Sequence, residues 1–352
     1  MNVVEKALEE RNLPKLLDWK GSRIRTKEEW EERRKEIEDV LCHELYGYMP
    51  FRQCETKGEV VSVKENAFGG KAIEDKVLLK IKTAYGFCSF PFRLTIPKNA
   101  EKPPVFLKFT FGPQDEMTEE LVDNGYAVGN VFYQEIAPDR PEAVTEGIAG
   151  IIEQVPYIGW GKIAMWAYGL SRITDYLMTR TDIDRERIAI VGHSRLGKAT
   201  LLCGALDHRY SLIVTAGSGA GGAALFRNKR GEQIGDLSKS WFCTNMQKYA
   251  GHPEALPFDQ HFLIALCAPQ RVYISSASED EWADPASEFL GGIAASPVYE
   301  LWQEKGLVCE EFPKVDQIYR EGRIAYHMRR GTHCMNRQDW HHYMEYRARY
   351  GI

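Results

Sequence analysis

The chain has 352 residues, 44% of them hydrophobic, and a formal net charge of −5 from 45 Lys and Arg against 50 Asp and Glu. That is enough apolar material for one large domain or two modest ones. The weakly acidic balance with scattered basic residues suggests no nucleic-acid surface, and no run approaches the roughly 18 apolar residues of a membrane-spanning helix.

The N-terminus, MNVVEKALEERNLPKLL, lacks the basic start and apolar centre of a secretory leader. Eight cysteines, at 42, 54, 88, 203, 243, 267, 309 and 334, form no CxxC pair, so neither a zinc site nor a redox pair is expected. Cys203 and Cys267 sit in apolar runs and read as core thiols. A reducing, cytoplasmic setting is the expectation.

Residues 1–50 read as an N-terminal helical arm, with Trp30, Ile37, Val40 and Leu41 near helix spacing and Gly47 and Pro50 ending it. Residues 51–352 read as a single domain. Between 58 and 97, VVSV, KVLLKIKT and FPFRLTIP are β-rich, with turns at Gly69-Gly70 and Gly86, and predict an antiparallel sheet edge. A parallel sheet then begins with Val105–Phe111 and a Gly112-Pro113 turn, followed by a short helix over 117–124 and a strand over Tyr126–Phe132. A long loop from Pro138 to about Gly161 is placed to border a cleft. The stripe Ile163, Trp166, Ala167, Leu170, Ile173 and Leu177 predicts a helix packed by its apolar face.

The stretch RIAIVGHSRLGKATLLCGAL, residues 187–206, organises the chain. Ile188–Val191 reads as a buried strand, Gly192 permits a sharp turn, and Leu196–Leu206 reads as a helix. A serine lifted above the sheet on such a turn is the nucleophile elbow of an α/β-hydrolase. The elbow pattern G-x-S-x-G is imperfect, because Leu196 stands at the last position and the glycine follows at Gly197. Gly192, Gly197 and Lys198 also nearly spell a phosphate-binding loop, but Ala199 stands where its metal-holding Ser or Thr belongs.

Downstream, Leu212–Ala216 predicts a strand. GSGAGG supplies a G-x-G-x-x-G match at Gly217, Gly219 and Gly222, but without a following βαβ unit close backbone packing explains it better than a dinucleotide. Arg271–Ser276 predicts a strand, Ala283–Gln303 a helix, Ile318 and Arg323–His327 a last strand, Gly331-Thr332-His333 a turn, and Arg337–Tyr350 a closing helix. Strands alternating with helices predict a doubly wound, mostly parallel sheet.

A serine hydroxyl needs a base, and the base an orienting carboxylate. In α/β-hydrolases the chain order is Ser, acid, His. Ser194 is the candidate nucleophile, and His333, in a turn after the last strand, is the candidate base ahead of His327, His341 and His342. SASEDEWADP after the 271–276 strand offers Asp280 as the candidate acid. Asp284 is the alternative, or else caps the next helix before Pro285. Arg195 adjoins the nucleophile and is a candidate oxyanion donor. Lys198, four residues on, projects to the same helix face and should make the pocket mouth positive.

At these residues the chain resembles the glucuronoyl esterases, carbohydrate esterase family 15, in their bacterial branch. VGHSRLGKA (191–199), SGAGGAAL (218–225), LPFDQH (256–261), APQRVYISSASEDEWADP (268–285) and the Gly331-Thr332-His333 turn carry the resemblance, with GYAVGNVFYQEIAPD (125–139) and WAYGLSRITDYL (166–177). The resemblance implies a three-layer αβα sandwich with no metal and no cofactor. It implies hydrolysis of an ester between a glucuronic-acid carboxyl and an alcohol, usually a lignin alcohol on 4-O-methylglucuronoxylan. By position it implies Ser194 as nucleophile, His333 as base, Arg195 at the oxyanion, and Lys198, Glu232 and Trp282 on the sugar. Many family members carry Glu where this chain has Gly217; those with the acid after the later strand point here to Asp280. The rival expectations are an esterase for simpler acyl groups on carbohydrates and a non-catalytic binding protein that kept the fold.

Overall fold

Ten strands form one sheet in a computed structural model that describes residues 2–50, 54–112, 117–143, 145–151 and 159–352. In chain order the elements are α1 (Val3–Glu9), β1 (Asp18–Trp19), β2 (Ser22–Arg23), α2 (Lys27–Leu41), β3 (Cys54–Ala67), β4 (Ala72–Thr83), β5 (Phe87–Pro97), β6 (Pro104–Thr110), α3 (Thr118–Asp123) and β7 (Ala127–Phe132). There follow α4 (Tyr133–Ile136), α5 (Lys162–Leu177), β8 (Asp184–His193), α6 (Arg195–Leu206), β9 (Leu212–Ala216), α7 (His261–Leu266), β10 (Arg271–Ala277), α8 (Pro285–Ala295), β11 (Ile318–Tyr319), β12 (Ile324–Arg329) and α9 (Arg337–Tyr350). The expected Gly112-Pro113 turn and the 138–161 loop fall partly outside the described residues.

The strand order is β11-β12-β10-β9-β8-β6-β7-β5-β4-β3. The six from β7 to β12 pair in parallel, and β5, β4 and β3 continue the sheet antiparallel on one side. Side chains alternate between the two faces of a strand, and the apolar residues divide accordingly. Ile188, Ile190, Ile213, Val272 and Ile274 join a large cluster with α5, α6, α7 and α8. Ala189, Val191, Leu212, Val214 and Tyr273 join a second cluster with α3 and α9. Buried on both faces, the central strands read as continuous apolar runs, and the result is the three-layer αβα sandwich of an α/β-hydrolase.

The N-terminal segment carries more than one helix. A β1–β2 hairpin separates α1 from α2, and a π-helical turn, Cys42–Tyr46, follows. Thr26 and Glu29 form a reciprocal capping box at the start of α2. Trp30, Ile37, Leu41 and Tyr46 join the larger cluster. The long helix expected over 283–303 is instead α8 and a 3-10 stretch, Ser296–Trp302, because Pro297 lacks the N–H that would continue an α-helix. All eight cysteines are free.

Candidate active site

The turn after β8 has the strain of an elbow. Ser194 sits at φ 58° and ψ −130°, a conformation that costs a non-glycine residue about 1–3 kcal/mol, and it caps α6. Its N–H donates to Ala216 O at 2.8 Å, which pins the turn to the end of β9. A Cβ at Gly192 would lie 2.2 Å from Leu196 O. One at Gly197 would lie 3.2 Å from both Gly192 O and Ala216 O. The late glycine therefore still faces Gly192 across the turn, while Leu196 is fully buried.

In a parallel sheet the loops that follow the strands emerge at one edge. Ser194 follows β8, Gly217 follows β9, Asp280 follows β10 and His333 follows β12. The register His193↔Ala216, Ser275↔Ala216 and Ala277↔Arg329 aligns those exits. His333 Nδ1 lies 2.6 Å from Asp280 Oδ2, and Asp280 Oδ1 accepts the Ala283 N–H at 3.2 Å. Asp284 faces elsewhere. It caps α8, accepting from Ser287 Oγ at 2.6 Å and from the Arg230 N–H at 2.8 Å. His327 is buried against Asp339, and His341 pairs with Glu120.

The imidazole of His333 lies beside the residue that precedes Ser194. The rings of His333 and His193, the residue before Ser194, have centroids 4.6 Å apart. A Cβ at Gly217 would lie 3.4 Å from Asp280 Oδ2 and 3.5 Å from both His193 Nε2 and His333 Cε1. The turns that carry Ser194 and His333 are thus neighbours, and no direct hydrogen bond joins the two side chains among the described residues. Such a bond often forms only in the complex with substrate.

Electrostatics separate the groups. The hydrogen bond to Asp280 raises His333 above the ordinary histidine value, against the opposing effect of burial. Burial pushes Asp280 up, but the hydrogen bond and charge of His333 bring it below the usual carboxylate value. Burial and the neighbouring His333 lower His193 to about 4, which keeps that ring neutral. Beneath the 217–219 turn, burial pushes Glu288 up to about 7, even though it accepts from Ser276 Oγ at 2.6 Å and Gly219 N at 3.0 Å.

Arg195 is one-third exposed at the rim, and its guanidinium pairs with Asp139 and lies 4.7 Å over the Trp241 ring. Lys198 does not face the mouth: it is 2% exposed. Its three N–H donors go to Ser218 O (2.7 Å), Ala220 O (2.6 Å) and Glu232 Oε2 (2.9 Å). Glu232 Oε2 also accepts the Ala220 N–H at 3.1 Å. Its Oε1 makes no hydrogen bond among the described residues. Trp282 is 54% exposed. Its carbonyl accepts the Glu232 N–H at 2.9 Å, so the two residues are joined through their backbones.

Sequence reasoning missed two supports. Asp139 holds Arg195, and Trp241 Nε1 donates to its Oδ1 at 2.8 Å. Arg329, at the end of β12, donates from Nη1 to Arg330 O at 3.0 Å and from Nη2 to Thr332 O at 3.2 Å and to Cys334 O. Its Nε is anchored on Asp339 Oδ2 at 2.9 Å. One guanidinium thus braces the turn on both sides of His333. Only the glycine turn before His333 hinted at this in the sequence. Among the described residues, no group of three His, Cys, Asp or Glu is disposed to hold a metal ion, and no helix is long and apolar enough to cross a membrane.

Comparison with known proteins points to one family. A protein-family description, "Glucuronyl esterase, fungi", matches residues 83–302. A carbohydrate esterase of an unknown prokaryotic organism is 33% identical over 376 residues, covering 93% of this chain and 86% of that protein. A 4-O-methyl-glucuronoyl methylesterase of Podospora anserina is 27% identical, covering 76% of this chain and 56% of that protein. The solved glucuronoyl esterase of Solibacter usitatus superposes with a TM-score of 0.87 at 32% identity, covering 95% of this chain and 96% of that one. The chain belongs to the glucuronyl esterase family, whose members are carboxylic ester hydrolases.

Proposed function

We propose that the chain hydrolyses esters of glucuronic acid or 4-O-methyl-glucuronic acid through an acyl-enzyme on Ser194. The observation that carries this is the Asp280–His333 pair, 2.6 Å long, at the same sheet edge as a serine held at positive φ. Ser194 Oγ attacks the ester carbonyl as His333 Nε2 takes its proton. The carbonyl oxygen becomes an oxyanion, for which the Arg195 N–H at the start of α6 and its guanidinium serve as donors. The intermediate collapses, the alcohol leaves with the proton from His333, and the acyl group stays on Ser194. Water then attacks, His333 again takes a proton, and the uronic acid departs as Ser194 recovers its hydrogen.

Glu232 Oε1 and the exposed Trp282 ring support a sugar as the acyl group. A carboxylate accepts from hydroxyls, and an indole face packs on the apolar face of a pyranose. Comparing hydrolysis of benzyl glucuronate with release of acetate from an acetylated xyloside tests the reading. Preferential turnover of the uronate ester supports it, and preferential deacetylation contradicts it.

A further inference from the structure

Arg195 is caged by groups drawn from distant parts of the chain. Asp139 Oδ2 takes its Nη1, and the Tyr133 hydroxyl donates to that same oxygen at 3.4 Å. Trp241 donates to Asp139 Oδ1 at 2.8 Å and covers a face of the guanidinium at 4.7 Å. Trp241 is itself fixed on the start of α5: its carbonyl accepts the Ile163 N–H at 3.1 Å, and a Cβ at Gly161 would lie 2.1 Å from that carbonyl oxygen. Arg195 Nε is buried and has no hydrogen-bond partner among the described residues. Asp139 and Arg195 lie 56 positions apart, so no local turn imposes the contact.

We propose that Asp139 is a positioning residue with two effects, both exerted through Arg195: it holds the guanidinium at the oxyanion, and by its charge it keeps the acid product from being retained there. This rests on the serine-esterase reading above. An unpaired guanidinium grips a carboxylate through two parallel N–H bonds. Ester hydrolysis produces a carboxylate at the very carbon whose oxyanion Arg195 faces. A free arginine would therefore bind the transition state and the product alike, and uniform binding of that kind does not raise turnover. With one Nη1 N–H given to Asp139, that carboxylate competes for the guanidinium and a like charge stands beside the product, which weakens the grip of the remaining donors on it. The remaining N–H donors still serve the oxyanion.

The test compares wild type, Asp139→Asn and Asp139→Glu, each with Arg195 intact and with Arg195→Ala, measuring kcat on benzyl glucuronate and the inhibition constant of free glucuronate. Asp139→Asn keeps an acceptor for Trp241 and removes the charge. We expect it to lower kcat about 10-fold and to tighten glucuronate binding about 10-fold. Asp139→Glu keeps the charge and displaces the guanidinium, so kcat falls while glucuronate binding stays within about twofold of wild type. In the Arg195→Ala background neither substitution changes either constant by more than about twofold. Unchanged glucuronate binding in Asp139→Asn overturns the proposal, and so does an equal loss of kcat with and without Arg195. The esterase reading fails separately, on retained hydrolysis by Ser194→Ala.

Discussion

His333 Nδ1 and Asp280 Oδ2 meet at 2.6 Å, the first in the turn after β12 and the second in the turn after β10. Adjacent parallel strands set that distance, because Ser276↔Met328 and Ala277↔Arg329 fix the register from which both turns depart.

The first consequence is a pH profile. In the proposed mechanism His333 acts as base only when deprotonated, and the Asp280 hydrogen bond raises its value. The acid limb of kcat/KM should therefore lie above the ~6.5 of an unperturbed histidine. Asp280→Asn should lower kcat by about 10³–10⁴ and move that limb down. The sign for stability follows from the same shift. The raised His333 contributes below its unfolded value, and that contribution is lost as pH rises through the higher folded value. The lowered Asp280 contributes above its unfolded value and loses this as pH falls. Initial rates over a range of pH check the first claim, and urea midpoints over the same range check the second.

Arg329→Lys should cost activity without costing substrate binding. An ammonium cannot span the carbonyls of Arg330, Thr332 and Cys334 that the guanidinium fork now holds. Loosening the His333 turn should lower kcat by about 10–100-fold with KM within about twofold of wild type. It should also shift the acid limb toward ~6.5 as the Asp280 contact weakens. A steady-state KM and kcat split, read with the pH profile, decides this.

Lys198→Met should destabilise the fold. It leaves the Glu232 carboxylate, 8% exposed, with only the Ala220 N–H, and leaves two carbonyls without their donor. Breaking one half of a buried pair costs about 3–5 kcal/mol. Adding Glu232→Gln should return part of that loss, and urea unfolding of both variants measures it.

Gly192→Ala and Gly217→Ala should differ sharply. At 192 a methyl meets backbone at 2.2 Å, so the elbow must distort. At 217, where φ is +49°, the methyl has ordinary contacts, the nearest at 3.4 Å. The cost there is the left-handed conformation, about 1–2 kcal/mol. Soluble yield and thermal midpoints separate the two.

The central strands were legible because residues such as Ile188–Val191 and Leu212–Ala216 are buried on both faces, so the sequence is apolar throughout. The edge strand was less so. β3 runs from Cys54 to Ala67, yet only VVSV stood out, because most of its residues face solvent on both sides. The turns that carry Ser194, Asp280 and His333 are local and could be read. What holds them is not local. Asp139 and Arg329 act through partners chosen by the fold, and helix spacing alone put Lys198 on the face of Ser194 when its ammonium is drawn inward by the Ser218 and Ala220 carbonyls.

The most direct measurement is the site of covalent capture by a fluorophosphonate, located by peptide mass spectrometry and paired with ester hydrolysis by Ser194→Ala. The account predicts one adduct, on Ser194, formed more slowly as His333 protonates, and hydrolysis abolished in the variant. An adduct on another residue, or hydrolysis undiminished in Ser194→Ala, would contradict it.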